Sequence, residues 1–197
     1  MVPPPVDPIA AAKAELRSEI IARREALPVA ERVAAAETIA ARGLPVQVPA
    51  GAIVSGYSPL KSEISPVPLM RRLADAGASL ALPVVVGRGK PLIMRAWKFG
   101  DPLGSGQWGI REPKPEAPEV FPDILIVPLA VFDRAGYRIG YGAGYYDMTI
   151  ARLRKMKSIT AIGVAFAAQE LKDLPHTGFD ERLDFILTER EVIEPRA

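Results

Sequence analysis

Cysteine is absent from this 197-residue chain, and histidine occurs once, at His176. The first absence excludes disulfides, thiolate metal sites and a cysteine nucleophile. The second excludes a multi-histidine metal centre within one chain. No run of about eighteen apolar residues is present, so no transmembrane helix is expected. The N-terminus, MVPPPVDP, has neither the cationic start nor the apolar core of a secretory signal. Residues 1–7 are expected to form a disordered tail. An excess of one charge is also missing: 25 Lys and Arg stand against 23 Asp and Glu, a net +2. The basic residues are spread along the chain. Their densest patch, Arg152 to Lys157, closes an expected helix, where cations complement the dipole. A basic stripe for nucleic acid is therefore not expected. The expectation is a cytoplasmic protein without nucleic-acid or membrane partners.

Apolar residues make up 49% of the chain and charged residues 24%, an ordinary balance for a globular fold that needs no staples. Residues 8–197 are expected to form one domain. Asp7 and Pro8 read as an N-cap followed by a first-turn proline, opening a helix over 8–26. On it Ile9, Leu16, Ile20 and Leu27 share a face, and Lys13, Arg17 and Arg24 form a narrow stripe at its edge. Pro28 breaks that helix, and a second follows over 29–42 with Gly43 as its stop. Strands are expected at 52–57, 79–86, 92–97, 124–129, 159–166 and, as the last, 185–188. Helices are expected at 66–76 and 145–155, with a long Gly- and Pro-rich loop at 98–122. Helices alternating with strands predict an α/β fold. The apolar run Ile124-Leu125-Ile126-Val127 fits a strand buried on both faces. We expect a Rossmann-like three-layer α/β/α sandwich with a mostly parallel central sheet.

Two phosphate motifs are tested and set aside. No GxxxxGK[ST] is present, so there is no standard P-loop. GxGxxG does occur at Gly104 to Gly109, but it follows Asp101-Pro102 instead of a strand, and Pro113 and Pro115 forbid a helix after it. It reads as a flexible loop, or as a loop presenting Trp108 and Glu112 to a substrate.

The segment from Asp123 to Asp147, DILIVPLAVFDRAGYRIGYGAGYYD, has the right context. A strand leads through the turn Asp133-Arg134-Ala135-Gly136 to Gly140, Gly142 and Gly144 beside Arg138, and then to a helix. Glycines let backbone N–H groups approach a ligand, and a helix start adds partial positive charge. A phosphate cradle and a tight turn packed by glycines are both open readings. Arg138 favours an anion site. Asp147 offsets a helix dipole or holds Mg²⁺ carried by a nucleotide. Lys13 and Arg17 read as solvated cations on a helix. Glu63 caps its loop or contacts a ligand at the carboxyl end of a strand. Asp180 and Asp184 read as loop solvation, and His176 as a loop histidine.

RIGYGAGYYD behind a D-x-x-G-x-R turn resembles the 5-formyltetrahydrofolate cyclo-ligase family. The resemblance runs in order through most of the chain. It takes in Lys13-x-x-Leu16-Arg17, Tyr57-Ser58-Pro59-x-x-x-Glu63, Trp108-Gly109-Ile110-Arg111-Glu112-Pro113, the glycine segment and Asp180-x-x-x-Asp184 before Thr188-Glu189. It implies ATP- and Mg²⁺-dependent closure of 5-formyltetrahydrofolate to 5,10-methenyltetrahydrofolate. The formyl oxygen is phosphorylated, N10 attacks, and ADP and phosphate are released. No histidine base or protein nucleophile is needed.

By the same resemblance, Lys13, Arg17 and Arg138 meet ATP phosphates, with Arg138 and Lys13 the catalytic cations. Arg138, Ile139, Gly140, Tyr141, Gly142, Ala143, Gly144, Tyr145 and Tyr146 cradle ATP, and Tyr141 to Tyr145 also face the folate. Tyr57, Glu63 and Trp108 line the folate pocket, and Asp147 and Asp184 bind Mg²⁺. Two positions depart from the family: Ala143 stands where some members carry a basic residue, and Met148 where arginine is common after the aspartate. The resemblance leads to a cyclo-ligase acting as a monomer. A sugar-phosphate isomerase or CoA transferase of similar fold, and a non-catalytic nucleotide-binding module, are the alternatives.

Overall fold

A computed structural model describes residues 7–195. Residues 1–6 of the expected tail lie outside the described residues. Asp7 caps the first helix, α1 (Pro8–Glu25), its side chain accepting from Ile9 N at 3.0 Å while Pro8 stands at the first helical position. α2 (Val29–Arg42) begins after Pro28 and stops at Gly43, whose φ of 76° ends it. The chain continues through β1 (Ile53–Ser55), α3 (Val67–Asp75), β2 (Ser79–Val84), β3 (Ile93–Ala96), β4 (Leu103–Ser105), β5 (Arg111–Pro113) and β6 (Glu119–Val120). Then come β7 (Ile124–Pro128), β8 (Val131–Phe132), β9 (Arg138–Ile139), α4 (Tyr145–Met156), β10 (Thr160–Val164), β11 (Phe185–Leu187) and β12 (Val192–Ile193).

Eight strands form one sheet in the order β12-β11-β10-β7-β1-β2-β3-β6. The central strands β11, β10, β7, β1 and β2 are parallel, and β12, β3 and β6 add antiparallel edges. Successive side chains of a strand point to opposite faces. Ile124 and Ile126 of β7 therefore join the core under α2 and α3, while Leu125 and Val127 join the core under α4. These are the three layers expected from the alternation of elements.

From β1 the chain moves outward to β2, then returns to place β7 on the other side of β1. The strand order reverses there, so a crevice opens outside the carboxyl ends of β1 and β7, the usual ligand position in such sheets. α1 belongs to neither helical layer. Its Leu16 and Ile20 pack on Ala130, Val131, Ile139 and Leu174, across the β8–β9 ribbon that follows β7.

The structure departs from expectation in several stretches, the β8–β9 ribbon among them. Residues 98–122 are not one loop: β4 and β5 pair as a hairpin, and β6 joins the main sheet beside β3. These strands are two or three residues long, too short for a period-2 pattern to show among the glycines and prolines. The strand at β11 is not the last, because β12 turns back antiparallel to it. No described helix is long and apolar enough to cross a membrane.

Candidate functional site

The glycine segment lies at the crevice. After β9 the chain takes positive φ at Gly142 (94°) and Gly144 (67°), a region costly for residues with a Cβ. Gly144 caps α4 in the left-handed conformation and supplies no side-chain cap. The first turn of α4 thus has backbone N–H groups without a side-chain acceptor, at the positive end of the helix dipole. Tyr141 to Gly144 are exposed.

The basic stripe of α1 faces this loop. Lys13, Arg17 and Arg24 fall within about 40° on a helical wheel of 3.6 residues per turn, and all three have partners. Arg17 Nε donates to Gly140 O at 2.6 Å, and its guanidinium lies 3.4 Å from where a Cβ on Gly142 would sit. Lys13 donates to both carboxylate oxygens of Asp180 at 2.6 Å. Arg24, 2% exposed, donates from Nε to Ser62 Oγ at 3.0 Å and from Nη1 to the Tyr141 hydroxyl at 2.9 Å. The solvated reading of Lys13 and Arg17 therefore fails, because the β8–β9 ribbon brings the glycine loop up against α1. Asp180 is no solvated loop residue either. Burial pushes its carboxyl up, but bonds from Lys13 and Thr177 more than offset this and hold it below the ordinary range.

Arg138 lies beneath the loop with its side chain 3% exposed. It donates to Glu181 O at 2.6 Å and to Asp147 Oδ1 at 2.9 Å. Burial lowers its pKa and the Asp147 charge counters that. Asp147 Oδ1 also accepts from Glu181 N at 3.0 Å, so Arg138, Asp147 and the 180–181 loop form one unit under the glycines.

The other wall follows β1. Tyr57 is buried and donates to Ile64 O at 2.6 Å. Glu63 Oε2 accepts from Leu60 N at 2.7 Å, which realises its capping reading, and Tyr141 lies close to the same carboxylate. Burial pushes the Glu63 carboxyl up; Tyr141, Leu60 N and Arg24 only partly restrain it. Burial likewise raises the Tyr57, Tyr141 and Tyr146 hydroxyls, with Glu63 adding to each. Trp108 is 68% exposed, with its ring centroid 6.1 Å from that of Tyr145.

The GxGxxG stretch that carries Trp108 is anchored, contrary to the flexible reading. Glu112 is buried and accepts from Val85 N at 3.1 Å, Ser58 Oγ donates to Arg111 O at 2.9 Å, and a Cβ on Gly106 would collide with the Glu112 carboxylate. Gly106 thus serves packing in a hairpin.

The two expected metal carboxylates are not brought together. Asp184 Oδ2 accepts from Ala161 N at 2.7 Å and from Arg154 at 3.1 Å, at the amino end of β10. Arg154 lies seven residues beyond Asp147 in α4, about 10 Å along the axis. Among the described residues no group of three or more His, Asp or Glu gathers as a metal site. A single carboxylate suits Mg²⁺ that arrives on phosphate oxygens and keeps its own water. Asp147, with its side chain 25% exposed, fits that part.

Sequence reasoning gave no role to Arg24, although it continues the stripe of Lys13 and Arg17. Asp180 and Ser62 were beyond its reach, since their partners lie 167 and 38 residues away.

Comparison with known proteins bears on the family and the fold. A model of the 5-formyltetrahydrofolate cyclo-ligase family matches residues 9–189. A 5-formyltetrahydrofolate cyclo-ligase of Mycolicibacterium smegmatis is 30% identical over 195 residues, covering 92% of this chain and 95% of that protein. The Escherichia coli K12 enzyme of the same name is 31% identical over 147 residues, 72% of this chain and 80% of its own. The solved structure of Aquifex aeolicus 5,10-methenyltetrahydrofolate synthetase superposes with a TM-score of 0.77 at 31% identity, covering 94% of this chain and 93% of that one. A 5,10-methenyltetrahydrofolate synthetase from Mycoplasma pneumoniae shares the fold, with a TM-score of 0.71 at 23% identity over 90% of this chain and 98% of that one. With one family spanning 9–189 and a relative aligned almost end to end, the chain belongs to the 5-formyltetrahydrofolate cyclo-ligase family.

Proposed function

We propose that the crevice at the switch point carries out the ATP- and Mg²⁺-dependent closure of 5-formyltetrahydrofolate to 5,10-methenyltetrahydrofolate, releasing ADP and phosphate. The observation that carries this reading is the convergence of the α1 cations and the uncapped α4 N-terminus on the glycine loop, with the half-buried Glu63 near Tyr141. Family membership replaces the isomerase, transferase and non-catalytic alternatives.

In this reading Lys13, Arg17 and the loop from Ile139 to Tyr146 take the ATP phosphates. Arg138 adds positive field from below and orients Asp147, which would hold Mg²⁺. Magnesium, when bound, neutralises phosphate charge and orients the phosphoryl group that is transferred. Asp184 is assigned to anchoring Arg154 and β10. Glu63 accepts from the N–H groups on the pterin edge. Tyr57, Trp108 and Tyr145 form the surrounding wall and rim. No protein atom need form a covalent bond to either substrate. The residues fix the formyl oxygen near the phosphoryl group, exclude water and offset charge. Ala143 brings no cation to the loop, so Lys13 and Arg17 supply it. The enzyme acts as a cytoplasmic monomer on two small substrates.

The test is Mg²⁺-dependent ADP release that strictly requires 5-formyltetrahydrofolate, matched by growth of the methenyl product's near-ultraviolet absorbance. ADP release without folate, or no absorbance change, would overturn the reading.

A further inference from the structure

Helix α1 sets the parts of the crevice in a line. Lys13 is bonded to Asp180, Arg17 to Gly140 of the glycine loop, and Arg24 to Tyr141 and to Ser62, the neighbour of Glu63. At 1.5 Å per residue, Lys13 and Arg17 leave the helix about 6 Å apart, and Arg17 and Arg24 about 10 Å apart. With the pterin at Glu63, the folate takes the Arg24 end, and the cations assigned to phosphate run away from it toward the amino end of α1. Phosphorylation of the formyl oxygen requires the γ-phosphate of ATP to face the folate. The nucleoside then lies at the opposite end, by Lys13 and the 177–181 loop.

That loop is a tight turn bolted to the phosphate half of the crevice. Asp180 N donates to Thr177 O at 3.2 Å, and Asp180 Oδ2 accepts from Thr177 N and from Lys13, each at 2.6 Å. Glu181 N donates to Asp147, and Glu181 O accepts from Arg138. Gly178 and Phe179 form the tip of the turn. The Phe179 side chain is 89% exposed, more than any other large apolar side chain among the described residues. Apolar side chains scattered singly on a surface need no explanation. Phe179 differs in its position, since its Cα is one peptide, about 3.8 Å, from that of the residue that holds Lys13. The ring also brings nothing to the fold: small and polar residues suit a turn tip, and so open a ring buries almost no apolar area. Ile9, one turn of α1 before Lys13, adds a second partly open apolar side chain at the same end.

Resting on the proposed function, we propose that Phe179 is a specificity-determining residue for ATP, the platform on which its purine ring stacks. Base–aromatic stacking needs only the π face of the base, so a single ring on a fixed turn is enough to favour a nucleotide over bare polyphosphate. The contact is the same before and during phosphoryl transfer. It therefore adds affinity for ATP without changing the chemical step.

Phe179→Ala in the full-length protein tests this by binding and by turnover. Calorimetry with Mg²⁺ and ADP is expected to show binding about tenfold weaker than wild type. Mg²⁺ and pyrophosphate, which present phosphates without a base, are expected to bind within about twofold of wild type. KM for ATP in ring closure should rise in step with the loss of ADP binding, while kcat, KM for 5-formyltetrahydrofolate and the thermal midpoint hold. Phe179→Trp should retain ADP binding. Unchanged ADP binding in Phe179→Ala overturns the proposal. So does equal weakening of ADP and pyrophosphate, which would show the substitution acting through Asp180 and Lys13. Wild-type protein that closes no ring defeats the proposed function, and this inference with it. An active wild type matched by Phe179→Ala in KM for ATP defeats only the inference.

Discussion

At the scale of single residues, Arg24 is the side chain on which most of the crevice leans. It is buried, and it fastens α1 to the loop after β1 through Ser62 and to the glycine loop through Tyr141. Removing it leaves Tyr141 with one partner fewer and Glu63 without a nearby cation. Arg24→Ala is expected to lower stability by about 2–3 kcal/mol, as measured by denaturant unfolding. It should also raise KM for 5-formyltetrahydrofolate more than KM for ATP; equal changes in both would argue for general loosening. Glu63 gives a pH signature. In the proposed site its ionised form accepts from the pterin, and burial has raised its pKa, so kcat/KM for the folate should fall with decreasing pH from above the ordinary carboxylate range of about 4.3. Arg24→Ala should move that limb higher. For stability the sign is opposite. A raised folded-state pKa contributes stability below the unfolded value and loses it as pH rises through the folded value. At neutral pH the ionised carboxylate therefore opposes folding, and Glu63→Gln should keep or raise the thermal midpoint while weakening folate use. How much of this could be read in the sequence depended on distance along the chain. The stripe of Lys13, Arg17 and Arg24 follows from helical spacing alone, but its meaning depends on Gly140, Tyr141 and Asp180, which are set by the fold.

At the scale of elements, β9, the glycine loop and α4 act as one part. Gly142 is the position where a side chain meets two obstacles, a φ of 94° and the Arg17 guanidinium. Gly142→Ala is expected to cost about 1–2 kcal/mol in stability and to raise KM for ATP about tenfold, read from ADP release at limiting ATP. Gly144 has a similar φ and open space for a Cβ, so Gly144→Ala should show the strain without the displacement of Arg17. The strand–glycine–helix context of this part was legible because a buried apolar run and a helical segment flank it. The β4–β5 hairpin was not legible. Its strands are three residues each, and what holds them is Glu112 on Val85 N and Ser58 on Arg111 O, contacts between distant segments. A pattern of glycines identical to a dinucleotide fingerprint therefore marks a hairpin there, in which Gly106 leaves room for the Glu112 carboxylate.

At the scale of the whole molecule, strand polarity decides what each carboxylate can do. The crevice opens at the carboxyl ends of β1 and β7, with Asp147 beneath it, while Asp184 is tied to the amino end of β10. Asp147→Asn should raise the Mg²⁺ concentration needed for half-maximal activity by about tenfold or more, since it removes the only protein charge proposed for the ion. Asp184→Asn should leave that titration in place and lower the thermal midpoint instead. Equal shifts in the two titrations would return Asp184 to the metal. The three-layer order was legible because alternating elements and doubly buried strands admit few arrangements. The edges of the sheet were not. β6 and β12 are two residues each, pair antiparallel and interrupt no periodic pattern. Such stubs leave almost no open row of amides and carbonyls for a second copy to extend. The sheet ends within its own chain, so even at high concentration the folded protein offers little template for growth into fibrils.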